Sequence, residues 1–172
     1  MNGLLNSFVL WFIKYFLPPM IANASPLLVK GNYRIDFSHN FIDGKPLFGS
    51  NKTWEGLIIG LYMGSSVTLV YSLLFNEIDY ILVGVGSTLF ALLGDLLGSF
   101  LKRRLNIKSG DPLPVIDQID FALMVIVYYY LIKVDDFYSK PLFILYALLL
   151  IMFLHITTNN IAYYLGVKDK RW

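Results

Sequence analysis

The sequence contains no cysteine. Disulfides, zinc–thiolate sites and cysteine nucleophiles are therefore excluded. It is also poor in charge: 15% of its 172 residues are Asp, Glu, Lys or Arg, and the net charge is only +2. The placement of those charges is more informative than their sum. No serine–histidine constellation points to hydrolysis, and there is no repeat period or low-complexity segment. No basic stretch precedes the first apolar run, and Lys14 lies inside it. A retained helix is therefore expected there, although Ala22-Asn23-Ala24 has the form of a signal-peptidase site.

Apolar residues make up 56% of the chain, and its mean hydropathy is +0.60. A soluble domain of this size has too little interior to hide so much apolar surface. The apolar residues also come in long uncharged runs, as membrane-crossing helices require. The expected fold is an all-α integral membrane protein, a single membrane domain over residues 1–172. Five transmembrane helices are predicted at about 3–22, 57–75, 80–101, 117–134 and 141–165. Pro18-Pro19 should break or kink the first helix, with irregular, cavity-lining backbone at Asn23, Ser25 and Pro26.

The polar segments are 30–54 and 102–116. The first has a turn signal at Asp43-Gly44, and alternation over Tyr33–Phe37 and Phe41–Phe48 permits a small hairpin. Gly56, Gly60 and Gly64, and again Gly94 and Gly98, recur every four residues and mark close-packing helix faces. The Tyr128–Tyr130 run is expected in an outer aromatic belt. Segments 30–54 and 102–116 and the tail from Lys168 carry eleven Lys and Arg. By the positive-inside rule they are cytoplasmic and the N-terminus is outside, placing the chain in the cell membrane as a multi-pass protein with a polar cleft formed by its cytoplasmic loops.

The chemistry concentrates in residues 94–120. Asp95 is the lone charge of its apolar run, and an intramembrane acid is a functional-site candidate by default. It precedes Lys102 by seven residues, about 10 Å along a helix. Asp117 and Asp120, three apart, share one helix face. Asp117 could also be a simple N-cap, with Asp120 favoured by the helix dipole. Neither explanation reaches Asp95. Three carboxylates near one point repel unless a cation lies between them, and an oxygen-only set suits Mg²⁺, alone or with a second cation. Lys102, Arg103, Arg104 and Lys108 lie between these acids in sequence. They can anchor lipid headgroups or contact phosphate, and a lipid phosphate satisfies both roles.

Lys52 and Thr53 stand at a helix start, where free N–H groups favour anions, and Asn51 or Thr53 could cap that helix. The stretch lacks the glycines of a P-loop. His155 and Asn159 share a face and read as packing or substrate-contact residues rather than metal ligands. The charge pattern suggests phosphate transfer without a covalent enzyme intermediate, since positioning and neutralisation do most of that work. The competing class is a non-enzymatic small membrane transporter or ion-conducting protein with Asp95 as a permeation site.

Ser99-Phe100-Leu101-Lys102-Arg103, then Lys108, then Asp117 and Asp120 resembles the signature of the CDP-diglyceride synthetase family. Asn51-Lys52-Thr53-Trp54-Glu55-Gly56 resembles a second block of those enzymes. The bacterial-type His-Gly-Gly is missing, Ser109 follows Lys108, and Gln118 stands between the acids. These departures are similar to the archaeal branch, the CDP-archaeol synthases. So are Ile21–Pro26, Phe41–Lys45, Gly94-Asp95-Leu96, Asp111–Pro114 and His155…Asn159-Asn160-Ile161-Ala162-Tyr163. The resemblance covers nearly the whole chain. It implies a five-helix, CTP-dependent, magnesium-using cytidylyltransferase acting on unsaturated archaetidic acid (2,3-di-O-geranylgeranylglyceryl phosphate), with CDP-archaeol and pyrophosphate as products. Under it, Asp95, Asp117 and Asp120 hold the metal, Asn51, Lys52 and Thr53 contact CTP, and Lys102, Arg103 and Lys108 neutralise charge. CTP, an isoprenoid ether lipid phosphate and the bilayer are the expected partners, with no nucleic acid. A CDP-alcohol phosphatidyltransferase is disfavoured, because its Asp-Gly-x-x-Ala-Arg motif is absent.

Overall fold

A computed structural model describes residues 2–164 and 166. The described structure is helical, with no strands. Its elements are α1 (Asn2–Ala24), a 3₁₀ turn (Ser25–Leu28), α2 (Trp54–Leu74), α3 (Tyr80–Arg104), α4 (Ile116–Leu131), a single turn α5 (Asp135–Tyr138) and α6 (Pro141–Tyr164). The tail Lys168–Trp172, counted above among the basic segments, lies outside the described residues.

Among the described residues, four helices are long and apolar enough to cross a membrane: α1 with its 3₁₀ extension, α2, α3 and α6. The chain is a multi-pass membrane protein. Outward-facing Leu73, Leu82 and Leu149 are exposed, as lipid-facing positions should be. The crossing expected at 117–134 is shorter than predicted. α4 has 16 residues and rises about 24 Å, against a hydrocarbon core of about 30 Å.

Pro18 and Pro19 do not end α1, which runs unbroken to Ala24. Each proline lacks the N–H that would bond the carbonyl four residues back, here those of Lys14 and Tyr15. Both carbonyls find substitutes on neighbouring helices. The Tyr80 hydroxyl of α3 donates to the Lys14 carbonyl, and the Tyr129 hydroxyl of α4 donates to the Tyr15 carbonyl at 3.0 Å. Neighbouring groups of this kind are what allow proline inside a membrane helix. The Tyr128–Tyr130 run is thus not a uniform outer belt. Successive residues turn by about 100° on a helix, so Tyr129 is fully buried while Tyr130 is half exposed and Tyr128 packs on Phe90.

Around these tyrosines lies an aromatic core. Trp11 stacks on Phe137 with centroids 5.2 Å apart, and Tyr15 meets Tyr129 edge-on at 5.2 Å. Lys14, the charge inside the first run, pairs with Glu77 of the α2–α3 turn. Tyr15 donates to Asp136 at 3.0 Å, and the Trp11 indole to the Asp136 carbonyl at 3.1 Å. This end of the bundle is therefore closed by polar contacts.

The glycine faces work as expected. A side chain at Gly60 would strike the Ala22 carbonyl at 2.7 Å, and one at Gly64 the Ala22 side chain at 2.8 Å, so α2 lies directly on the end of α1. At Gly94 an added Cβ would come within 2.7 Å of the Asp120 carbonyl, and at Gly98 it would overlap the Asp120 carboxylate. Small residues on α3 therefore bring α4, with Asp120, against the helix that carries Asp95.

The hairpin predicted over residues 33–48 is not formed as strands. Two isolated bridges, Arg34 to Thr53 and Asn40 to Pro46, hold this segment instead. The turn at Asp43-Gly44 is present, with Gly44 at φ 75° and its N–H donating to the Phe41 carbonyl at 2.9 Å. The buried Asp36 carboxylate does the organising: it accepts from the N–H groups of Ser38 (3.0 Å), Phe48 (3.1 Å) and Gly49 (3.2 Å). Side-chain capture of backbone N–H groups competes with strand pairing.

Candidate active site

Helix α3 continues to Arg104, so Lys102, Arg103 and Arg104 lie on its last turn rather than in a loop. There the cations complement the helix dipole, and helical geometry points the three in different directions. Lys102 turns toward α4, where its ammonium pairs with both Asp117 oxygens at 2.9 and 3.0 Å. Arg103 is buried, and its Nη2 donates to the Lys108 carbonyl at 3.1 Å. Arg104 turns away from the acids. It pairs with Asp43 at 3.1 Å, donates to the Pro46 carbonyl at 2.5 Å and lies over the rings of Phe41 and Phe100. Arg104 therefore fastens the 39–47 turn to α3.

The loop before α2 closes on the same place. Ile35 N–H donates to the Lys52 carbonyl and Trp54 N–H to the Tyr33 carbonyl, both at 2.9 Å. Thr53 caps α2 by accepting from Gly56 N–H at 3.3 Å. This fixes the direction of Lys52, whose ammonium reaches Asp95 at 2.5 Å. Asp117 is not the N-cap of α4. It lies in the first turn, and its carboxylate accepts from Leu113 N–H at 2.9 Å as well as from Lys102.

One cavity of about 290 Å³ is lined by Asp95, Asp117, Asp120, Lys52, Lys102 and Arg103. Asn23, Asn51, Ser99, His155 and Asn159 complete its polar wall. A neighbouring cavity of about 380 Å³ shares Asn51, Lys52 and Asp95 and adds Thr53 and apolar Leu27, Val29, Ile35, Leu57 and Leu92. The backbone expected to be irregular at Asn23, Ser25 and Pro26 is helical instead, the end of α1 and the 3₁₀ turn, and of these residues Asn23 lines the first cavity and Pro26 both. Lys108 faces a third cavity, together with Arg103 and Ser109. Apart from Thr53 and Lys108, every predicted site residue thus meets in one space, and these two border it in the adjoining ones.

This arrangement couples a bilayer-depth acid to a surface loop, with apolar space on one side and cations on the other. A family model described as CarS-like, CDP-archaeol synthase, matches residues 4–172. The chain belongs to that CDP-archaeol synthase family. It is 65% identical over 165 residues to the CDP-archaeol synthase of Staphylothermus marinus, covering 96% of this chain and 94% of the relative. It is 35% identical over 175 residues to that of Methanocaldococcus jannaschii, covering 95% of each. A solved structure, of an intramembrane enzyme for archaeal membrane lipid biosynthesis, superposes with a TM-score of 0.76 at 33% identity, covering 86% of this chain and 91% of that one. Like the rest of the CDP-archaeol synthase family, the chain is an enzyme of archaeal membrane lipid synthesis. The transporter reading finds no support.

For a CDP-archaeol synthase family member, the carboxylates are disposed in an instructive way. Among the described residues no three acidic or histidine side chains are close enough to form a ready-made metal cage. Asp95 and Asp117 are each held by a lysine, while Asp120 enters none of the ion pairs found there. Sequence patterns did not point to Arg34 and Lys45 as neighbours of Arg103 and Lys108. Only their positive charge in a segment bound for the same membrane face could have suggested it.

Proposed function

We infer that this enzyme transfers a cytidylyl group from CTP to unsaturated archaetidic acid, giving CDP-archaeol and pyrophosphate. The observation that carries the reading is the single cavity in which Asp95, Asp117 and Asp120 face Lys52, Lys102 and Arg103 beside apolar space. A substrate with phosphate at one end and isoprenoid chains at the other needs both kinds of wall.

Asp95, Asp117 and Asp120 are the residues that would hold Mg²⁺. Their all-oxygen chemistry and shared cavity fit that ion, and among the described residues Asp120 enters no ion pair. When bound, the metal would neutralise phosphate charge. Asn51, Lys52 and Thr53 contact CTP at the start of α2, where the helix dipole favours anions. Lys102 and Arg103, with Lys108 at the outer edge, offset the charge that develops as pyrophosphate leaves. The lipid phosphate is already anionic, so its oxygen attacks the α-phosphorus without a strong base. A new O–P bond forms as the bond to the β-phosphate oxygen breaks. Exposed Leu27 and Leu28, beside Asn23, border the entry for the isoprenoid chains.

The basic segments support an outside N-terminus and a cytoplasmic site. With α4 counted as a short fifth crossing, the chain ends would lie on opposite faces. The test is CDP-lipid formation from labelled CTP and archaetidic acid by purified protein in detergent, with magnesium and with EDTA. Organic-phase label should depend on magnesium and fall by orders of magnitude in Asp95→Asn and Asp120→Asn. Full activity in either variant would sink the metal assignment.

A further inference from the structure

Arg103 is only 6% exposed, and its Nε has no hydrogen-bond partner. Among the described residues no carboxylate lies within ion-pair distance of it. Asp111 and Asp117 act on it from beyond that distance, and a buried cation held this loosely favours an anion that can join it. Arg103 lines both the acid-walled cavity and the third cavity of about 460 Å³.

That third cavity has its own charge pattern. Its cations are Arg34, Lys45, Arg103 and Lys108, and none of them forms an ion pair among the described residues. Its one acid, Asp36, accepts from the N–H groups of Ser38, Phe48 and Gly49, and Arg34 acts on it from beyond ion-pair distance. Gly49 runs close over the Arg103 guanidinium. It has φ 98°, and a Cβ there would stand 2.9 Å from Arg103 Nη1 and 3.1 Å from Ser109 Oγ. The backbone thus leaves Arg103 and Ser109 as the partition between the two spaces.

We propose that this outer cleft is a diphosphate site, with Arg103 shared between it and the reaction cavity and Arg34 and Lys108 receiving the group that leaves. The proposal rests on the cytidylyl-transfer reading, which it extends by giving the leaving group a destination. When the bond between the α-phosphorus and the bridging oxygen breaks, the electron pair and negative charge stay on pyrophosphate. Arg103 lines the reaction cavity with no ion pair among the described residues, and Arg34, Lys45 and Lys108 lie beyond it in the outer cleft. The same diphosphate chemistry is offered by the β- and γ-phosphates of bound CTP.

The experiment is calorimetric titration of sodium pyrophosphate into the detergent-solubilised full-length protein, alone and saturated with a non-hydrolysable CTP analogue. The comparison uses wild type, Arg34→Gln, Arg34→Lys and Lys108→Gln. Each loss of a cation should weaken pyrophosphate binding about tenfold or more. Arg34→Lys should restore part of it, which a merely structural role for the guanidinium would not. Binding that persists beside the CTP analogue identifies free pyrophosphate as the occupant. Binding that the analogue abolishes identifies the CTP diphosphate tail. Wild-type affinity in both Gln variants, with thermal unfolding unchanged, would overturn the proposal. So would a wild type that forms CDP-lipid yet binds no pyrophosphate. Pyrophosphate binding by a protein that forms no CDP-lipid would instead refute cytidylyl transfer and leave the cleft standing.

Discussion

Replacing Tyr129 by phenylalanine removes one oxygen from a residue with no exposed surface. That hydroxyl donates to the Tyr15 carbonyl at 3.0 Å, the carbonyl that Pro19 cannot serve. An orphaned buried acceptor costs about 1–3 kcal/mol in water-soluble proteins, and hydrogen bonds between membrane helices average about 0.6 kcal/mol with a maximum near 1.7. Tyr15 is also buried, so no water can substitute, and the upper part of the membrane range applies: about 1–1.7 kcal/mol. The decisive comparison is the same change in a Pro19→Ala background. Alanine supplies an N–H at position 19, which bonds the carbonyl at position 15 along the helix. The Tyr129 hydroxyl is then dispensable for that carbonyl, and the penalty should fall to a few tenths of a kcal/mol. Ser87 and Tyr80 also lie near this hydroxyl, but their contributions are common to both backgrounds and cancel in the cycle. Equilibrium unfolding in mixed micelles of mild detergent and increasing SDS would measure all four proteins. An equal penalty with and without Pro19 would refute the account of how α1 survives its two prolines.

Further expectations concern the site and its supports. Gly98→Ala would displace the Asp120 carboxylate, and CDP-lipid synthesis should fall about tenfold or more for a displacement near 1 Å. Gly3→Ala, with open space around it, should leave activity unchanged. Lys52→Gln should raise the KM for CTP about tenfold, as loss of a charge-assisted contact predicts; an unchanged KM would remove Lys52 from the nucleotide site. Burial alone would raise the pKa of Asp36, but the N–H groups of Phe48, Ser38 and Gly49 and the charge of Arg34 hold it below the usual carboxylate range. A depressed pKa adds stability above the unfolded value, about 3.9, and loses it as pH falls through the folded value. Asp36→Asn should therefore speed proteolysis of the 30–53 segment at pH 7, with the difference from wild type shrinking as pH falls through the depressed folded value.

Much of the site was legible because its signals are local. An acid inside an apolar run, two acids three residues apart and a lysine at a helix start each carry their own physical meaning. The glycine faces were legible for the same reason, and the small-residue spacing anticipated the contact that places Asp120. The basic cluster was misplaced in a loop because charge ends an apolar pattern before it ends a helix. α3 keeps its hydrogen bonds through Arg104, and the cations stabilise that last turn. The expected break at Pro18-Pro19 failed because its remedy comes from α3 and α4, far away in sequence.

Composition and periodicity by themselves determined a helical membrane protein, its polar segments, and the acids and bases that come to share a cavity. These follow from the cost of charge and unpaired backbone in hydrocarbon, which acts on every residue wherever the chain folds. Tertiary structure alone decided how the cations divide their work. Lys52 reaches Asp95 and Lys102 reaches Asp117, while Arg103 stands between two cavities and Arg104 anchors a turn. Three consecutive cations differ only in helical phase, and phase acquires meaning only when α4 and the 30–53 segment occupy particular sides of α3.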